Sequence, residues 1–464
     1  MMRYGDMPTG APTLLLIGFS LVLGLYFGFF GLMVALVKRA AGKNWIALAA
    51  APIFWTAFEY GAAHITSVPW DQLGYSQVDN ALVNQIAPWA GVYGISFLLV
   101  AVNALIAGVF LLKRRSERLG WGISGVVLTL VGGSGIFISP SVPEVSATAV
   151  LIQPNLDVGS ADAWLGPDWG RHMDEFVRLG SERCKSYIAG IPQTGAPVGE
   201  VNCPADPAPP NLVVWPESPA PFAEGDPRFL SSLRSVAHGT QAPLIVGSIG
   251  MDFDSDQQLW RDFNSALVIS SDGERVGRYD KIHLVPFGEY VPFREFLFFA
   301  HKLTGRVSEF TRGEERKVFR LNGHRYGVFI CYEAVFADEV RQFARLGAEV
   351  LVNISDDGWY GDTSAPWQHL NIARMRAIEN HRWLLRGTNS GVTAAIDPYG
   401  RVRQSIPRHR VDALPARFGF RNDTTFYTEH GDVFATLCAI LAIGLAGWTL
   451  RTSLRLKLQS KVRS

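Results

Sequence analysis

Residues 326–333 read Tyr326-Gly327-Val328-Phe329-Ile330-Cys331-Tyr332-Glu333. The apolar run Tyr326–Ile330 is too short for a buried helix and is rich in β-formers, so it reads as a buried strand. Cys331 stands directly at its carboxyl end, where α/β folds gather their sites. A thiol in that place is either inert packing or a nucleophile. Its surroundings have to decide which.

Working outward, runs of the same kind recur at Ala147–Gln153, Asn211–Trp215, Pro243–Ser248, Ser265–Ser270 and Glu349–Asn353. Amphipathic helical patterns intervene at about 168–189, 226–238, 335–346 and 365–381. Strands alternating with helices predict an α/β fold in packed layers across residues 145–417. Asp272-Gly273 and Pro398-Tyr399-Gly400 mark hairpin turns. Residues 190–210 are rich in Pro and Gly and read as a loop. Cys184 and Cys203 stand at this loop, and a disulfide staple there is one reading. Cys438 reads as a small packing residue.

The composition points elsewhere as well. Of 464 residues, 48% are hydrophobic and only 18% charged, against about 25% charged in an ordinary soluble domain. Disorder is excluded by the apolar content, and neither a glycine period nor a heptad runs through the chain. The net charge of +1 offers no field to recruit nucleic acid. The apolar excess sits in charge-free stretches: 7–37, 44–58, 80–112, 119–143 and 433–450. A spanning helix needs about 20 apolar residues, so five spans are read, at about 13–37, 45–66, 90–112, 120–139 and 433–450. The first is too long for a cleaved signal, and its basic residues follow it.

Lys38, Arg39 and Lys43 follow span one, and Lys113, Arg114, Arg115 and Arg118 follow span three. The tail 451–464 carries Arg451, Arg455, Lys457, Lys461 and Arg463, whereas loop 67–89 has no Lys or Arg. Basic loops stay cytoplasmic. The 67–89 loop and the large 140–432 segment are therefore expected outside. The predicted organisation is a transmembrane bundle over 1–140, an extramembrane α/β domain over 145–417, a last span at 433–450 and a basic tail. Glu59, in span two, is either a functional carboxylate or an interfacial one bonded to a neighbouring helix.

Three strand ends present chemistry. Asn211–Trp215 ends in Pro216-Glu217-Ser218, the strand-like Arg275–Arg278 leads to Tyr279-Asp280-Lys281, and the third ends in Cys331. A weakly acidic thiol needs a base, which Glu217 supplies. A tetrahedral intermediate needs a cation, which Lys281 supplies. Each residue alone is ordinary; the joint occurrence carries the reading. No H-E-x-x-H, P-loop, dinucleotide fingerprint or G-x-S-x-G elbow occurs. No metal and no cofactor are expected.

Trp215-Pro216-Glu217-Ser218, Tyr279–Pro292 and Ile330-Cys331-Tyr332-Glu333 look like the Glu-Lys-Cys triad of the nitrilase (carbon–nitrogen hydrolase) superfamily. Leu284-Val285-Pro286-Phe287-Gly288-Glu289-Tyr290-Val291-Pro292 and the stretch from Asn353 through Trp359-Tyr360 and His369 to Glu379 are more specific. They resemble the membrane-embedded branch, the apolipoprotein N-acyltransferases, as do Pro69–Gln77 and Gly91–Ser96. The resemblance covers about residues 50–450. It departs in two places. The branch carries more spans than the five read here, the difference falling ahead of residue 1, and Asp356 stands where Asn is frequent. An added carboxylate there raises neighbouring pKa values by repulsion or accepts a backbone hydrogen bond.

The resemblance implies an integral membrane helical bundle joined to a nitrilase-like α-β-β-α sandwich. It implies Glu217 as general base, Lys281 as oxyanion-stabilising cation and Cys331 as nucleophile. The Tyr332 backbone N–H would complete the oxyanion hole, with Glu289, Glu333 and Glu379 as supporting carboxylates. Trp359 and Tyr360 would line the path of the acyl lipid, and Phe293, Phe296, Phe298 and Phe299 suit a lid. The implied activity moves an acyl chain from a membrane phospholipid, through a Cys thioester, to the α-amine of a diacylglyceryl-cysteine on an apolipoprotein. A monomer in the bacterial inner membrane with its catalytic domain on the periplasmic face is expected. Two rivals stand beside it: a membrane-tethered nitrilase-type amidase, and an inactive lipid- or lipoprotein-binding protein.

Overall fold

The computed structural model describes residues 10–133, 143–158, 169–181, 186–187, 200–201, 208–217, 222–256, 258–286, 288–290 and 310–463. Cys184, Cys203, Ser218 and the aromatic segment Phe293–His301 lie outside these. The chain divides into two compact units, one essentially residues 141–424 and the other 13–140 with 425–464.

The helical unit opens with α1 (Ala11–Ala41), α2 (Asn44–Thr66), α3 (Ala87–Leu111) and α4 (Arg115–Gly133). Among the described residues four helical stretches are long and apolar enough to cross a membrane: Leu16–Ala41, Asn44–Thr66, Val83–Leu111 and Val433–Arg455. They match the expected spans one, two, three and five. The expected span at 120–139 coincides with α4 as far as Gly133, and its remainder lies outside the described residues. Glu59 is buried; its Oε1 accepts the Trp55 indole N–H at 2.8 Å and the Leu73 backbone N–H at 2.8 Å. Its carboxylate thus ties the 67–86 segment to α2, and it also bonds Ser96 of the neighbouring helix α3. In α3, Gly91 adopts φ 62°, and a Cβ there would lie 2.5 Å from the Tyr427 ring. Only glycine meets both demands.

In the other unit, β1 (Ala147–Gln153) is followed by α5 (Trp169–Ser181), β2 (Leu212–Val214), α6 (Pro227–Thr240), β3 (Leu244–Asp254), β4 (Leu259–Ile269) and β5 (Arg275–Asp280). Then come β6 (Val318–Leu321), β7 (His324–Ile330), α7 (Ala337–Arg345), β8 (Val350–Ser355), α8 (Ala365–Asn380), β9 (Trp383–Thr388), β10 (Thr393–Ile396), β11 (Val402–Ile406) and β12 (Asp412–Phe418). The strands form two six-stranded sheets, ordered β12-β1-β2-β3-β4-β5 and β11-β10-β9-β8-β7-β6. The centres β1-β2-β3 and β7-β8-β9 are parallel, and the flanks are antiparallel.

The period of two sorts the side chains. Ala149, Leu151, Val214, Ile245 and Val268 meet Val328, Ile330, Leu385 and Ala395 in the core between the sheets. Val150, Ile152, Val213, Leu244 and Val246 face the other way, under Met173 and Phe176 of α5 and Phe229 and Leu233 of α6. Phe343 of α7 and Leu370 and Ala373 of α8 cover the second sheet. This is the expected α-β-β-α sandwich.

Three local expectations change. The helix expected over 168–189 ends at Ser181, and Ser186–Tyr187 pairs as strand with Glu200–Val201, inside the expected loop. The hairpin β3/β4 extends to Asp254 and Leu259, because continuous antiparallel pairing satisfies the backbone beyond the apolar run. Strand β9 hides in sequence because it carries Arg386, fully buried within it.

Gly91→Ala adds left-handed strain of roughly 1–2 kcal/mol to the clash with Tyr427. It should lower the thermal midpoint of the detergent-solubilised protein by several degrees, and Tyr427→Ala in the same chain should not restore it fully.

Candidate active site

The three strand ends meet at one edge of the sandwich. Glu217 follows β2, Lys281 follows β5, and Cys331 follows β7. Strand β5 is antiparallel to β4, and β4 to β3, so β5 runs with the parallel strands and delivers Lys281 to the end where Glu217 stands.

Lys281 is 1% exposed. Its Nζ lies 3.2 Å from Glu217 Oε1 and 2.9 Å from Glu289 Oε1. Burial alone would drive an ammonium to lose its proton. Glu217 and Glu289 outweigh this and hold the Lys281 pKa well above its ordinary value. Asn264 of β4 donates from Nδ2 to Glu217 Oε1 at 2.7 Å and to Glu289 Oε1 at 2.6 Å. The Asp356 backbone N–H donates to Glu217 Oε2 at 2.8 Å, and that of Val285 to Glu289 Oε2 at 2.7 Å. Both carboxylates are thus oriented through both oxygens. Sequence reasoning missed Asn264; its one signal was an amide inside the apolar run of β4.

Cys331 is buried, and its φ is +50°. A non-glycine residue in the left-handed region costs about 1–2 kcal/mol. Burial drives the thiol pKa well up, Glu217 and Asp357 add to this, and Lys281 opposes it. The resting thiol is therefore protonated and lies within the field of both Glu217 and Lys281.

Glu333 does not reach the lysine cluster side by side; it clamps the turn. Its Oε2 accepts the Ile330 N–H at 2.7 Å. Its Oε1 accepts the N–H of Ile282 at 2.6 Å and of His283 at 3.1 Å, and the Tyr279 hydroxyl at 2.8 Å. One carboxylate thus joins the Cys331 turn to the Lys281 loop. Glu379 stands further off: it pairs with Arg376 at 2.9 Å, and Arg376 Nη1 lies 3.4 Å from the Val335 carbonyl at the end of that turn. Trp359 is 57% exposed. Tyr360 sits edge-on to His369 and within the field of Cys331. The turn after Cys331 is a 3-10 helix, Cys331–Val335, which puts the Tyr332 amide in its first turn.

Asp356 is buried, and its Oδ1 accepts the Gly358 N–H at 3.0 Å. Asn389 Nδ2 lies 3.1 Å from each of its oxygens. Burial first, and then the Glu217 charge, push its pKa up to about 7. No group of His, Cys, Asp and Glu among the described residues has the arrangement of a metal site.

Residues 182–410 match the family model for carbon-nitrogen hydrolase, and residues 1–105 match that for the apolipoprotein N-acyltransferase N-terminal domain. An apolipoprotein N-acyltransferase of Geobacter metallireducens is 32% identical over 454 residues, which covers 95% of this chain and 81% of the relative. One from Agrobacterium fabrum is 30% identical over 441 residues, covering 93% and 78%. Among solved structures, Saccharomyces cerevisiae Nit3, a member of branch 10 of the nitrilase superfamily, aligns with 17% identity and a TM-score of 0.41 over 59% of this chain and 91% of that one.

The raised pKa of Asp356 has a definite sign. The folded state binds this proton more tightly than the unfolded state, so the stabilisation is whole below about pH 4 and is lost as pH rises to about 7. Asp356→Asn removes that loss. At pH 8 its stability should exceed that of the parent by on the order of 2–4 kcal/mol, seen as a higher thermal midpoint. The gap should shrink at pH 5, as read by thermal denaturation across that range.

Proposed function

The chain belongs to the apolipoprotein N-acyltransferase family, and from that premise we propose that it transfers an acyl chain from a membrane phospholipid to the N-terminal α-amine of a diacylglyceryl-cysteine lipoprotein through a thioester on Cys331. The observation that carries this is the buried Lys281 ammonium between two oriented carboxylates, with a protonated thiol in their field.

The proposed steps follow from those protonation states. Glu217 takes the Cys331 proton as the sulfur attacks the ester carbonyl, because a thiol whose pKa is raised needs a base. The tetrahedral oxyanion forms beside the Lys281 ammonium and the Tyr332 amide, a cation and a dipole fixed before reaction begins. The C–O bond breaks, Glu217 returns the proton to the leaving lysophospholipid oxygen, and a thioester remains. In the second half the lipoprotein α-amine attacks the thioester carbonyl and gives its proton to Glu217. The C–S bond breaks, the amide departs, and the proton returns to sulfur. Glu289 keeps Lys281 charged while Glu217 alternates between its two forms. Trp359 and Tyr360 line the path of the acyl chain. Membrane helices hold the enzyme where both substrates reside, which raises effective concentration without further contacts.

We place the catalytic unit on the periplasmic face of the inner membrane. Lys38, Arg39 and Lys43 lie at and after the end of α1, Lys113, Arg114, Arg115 and Arg118 follow α3, and the C-terminal tail is basic. This placement requires α4 and the residues after it to form a fifth span. A membrane-impermeant maleimide should label Ser232→Cys in intact spheroplasts; labelling only after lysis would reverse the orientation.

The chemical test supplies vesicles of acyl-labelled phospholipid and a synthetic diacylglyceryl-cysteinyl peptide. N-acylated peptide and lysophospholipid should appear in equal amounts, with an acyl adduct on Cys331 in the intact mass. Cys331→Ala should abolish both, and Glu217→Gln should slow acylation by about 10²–10⁴-fold. Free fatty acid without acylated peptide would favour a hydrolytic amidase-like enzyme. Absence of any adduct under lipid excess would favour a binding protein.

A further inference from the structure

Beneath the nucleophile lies a second buried constellation that the proposed steps do not use. His369 of α8 is fully buried, and its Nε2 lies 3.0 Å from the Cys331 carbonyl oxygen. A carbonyl only accepts, so Nε2 carries the hydrogen and donates. The Nδ1 side faces Asp357 Oδ1 at 2.8 Å and Arg386 Nη2 at 3.1 Å. Arg386 Nη2 also reaches Asp357 at 3.0 and 2.8 Å, and its Nη1 bonds the Asn353 side chain. The Ser355 hydroxyl donates to Asp357 Oδ1 at 2.8 Å. Asn353, Ser355, Asp357, His369 and Arg386 all have 0% exposure. Burial and the Arg386 charge push the His369 pKa down, and Arg386 and His369 hold the Asp357 carboxyl well below the carboxylate range against its burial. The Cys331 carbonyl thus requires a hydrogen on Nε2, while Asp357 and Arg386 fix the ring from its Nδ1 side.

The left-handed backbone of Cys331 gives this network a purpose. Such a conformation persists only where the surroundings over-determine it. On the amino side, the Ile330 N–H is held by Glu333. On the carboxyl side, the Cys331 carbonyl is held by His369. We propose that His369, oriented by the Asp357–Arg386 pair, is a positioning residue that fixes the Cys331 carbonyl and so aims the thiol between Glu217 and Lys281. The proposal rests on Cys331 as the nucleophile, on which His369 acts through the backbone carbonyl.

Gln and Met variants separate the donor from the packing. Glutamine at 369 presents an amide N–H near the position of Nε2, whereas methionine fills similar space with no donor. The full-length protein in detergent is treated with iodoacetamide, and carbamidomethylation of Cys331 is followed by intact mass. Acyl transfer is measured alongside for kcat and KM. His369→Gln should stay within about threefold of the parent in both rates, the donor being retained. His369→Met should slow alkylation and kcat by about 10–100-fold, the range expected for one lost buried hydrogen bond, with KM within twofold. Parental alkylation in His369→Met, or equal slowing in both variants, would overturn the proposal. Alkylation needs no lipid substrate, so it reads positioning even if transfer survives Cys331→Ala, the result that would instead defeat the functional reading. Should the variants fail to fold, nitrogen-15 spectroscopy of histidine in the parent decides: a hydrogen on Nε2 of His369 is expected, and a ring bare at Nε2 overturns the proposal.

Discussion

A lysine ammonium sealed from water is the constraint around which the catalytic unit is arranged. Removing one partner of a buried ion pair costs about 3–5 kcal/mol, because the other charge is left uncompensated. Lys281 therefore obliges two carboxylates to reach it, and they come from different places: Glu217 from the end of β2, Glu289 from the loop after β5. Each carboxylate then needs donors of its own, which Asn264, Val285 and Asp356 supply. Satisfying one charge thus fixes β4, the end of β8 and two loops in a single geometry. Burial first, and then the Glu217 charge against that of Lys281, keep the nearby thiol protonated at rest. The chemistry of the site follows from that balance.

The second organising device is the use of carboxylates as clamps rather than reactants. Glu333 accepts hydrogen bonds from the Cys331 turn and from the segment that follows Lys281. The sulfur-bearing turn and the ammonium-bearing segment are therefore held in register by one carboxylate. Asp357 performs the same service one layer deeper, between Arg386, Ser355 and His369. Polar networks of this kind rigidify an interior, even though Arg386 Nε finds no hydrogen-bond partner among the described residues.

The helical unit answers a different requirement. In lipid the backbone must satisfy itself, and long apolar helices do so. The four described here tether an acyltransferase-family chain to a bacterial membrane. Where the chain leaves regular helix, polar side chains and glycine take over: Glu59 receives the Leu73 amide, and Gly91 lets α3 turn beneath the Tyr427 ring.

The sequence alone determined much of this protein. Charge-free stretches of spanning length announced the helices, and short apolar runs announced β1, β2, β7 and β8. Glu217, Lys281 and Cys331 were legible because each stands at or just beyond the end of a strand, and strands of one direction end at one edge. The same logic failed where polar residues are buried. Arg386 disguised β9, and Asn264 and His369 passed as ordinary members of a strand and a helix. Pattern reports which face a side chain takes, since that depends on backbone period. It does not report which groups from distant segments come within 3 Å. Hydrogen bonds and ion pairs depend on separation rather than on residue type, so the partners of Lys281, Glu333 and His369 were decided only when the two sheets packed.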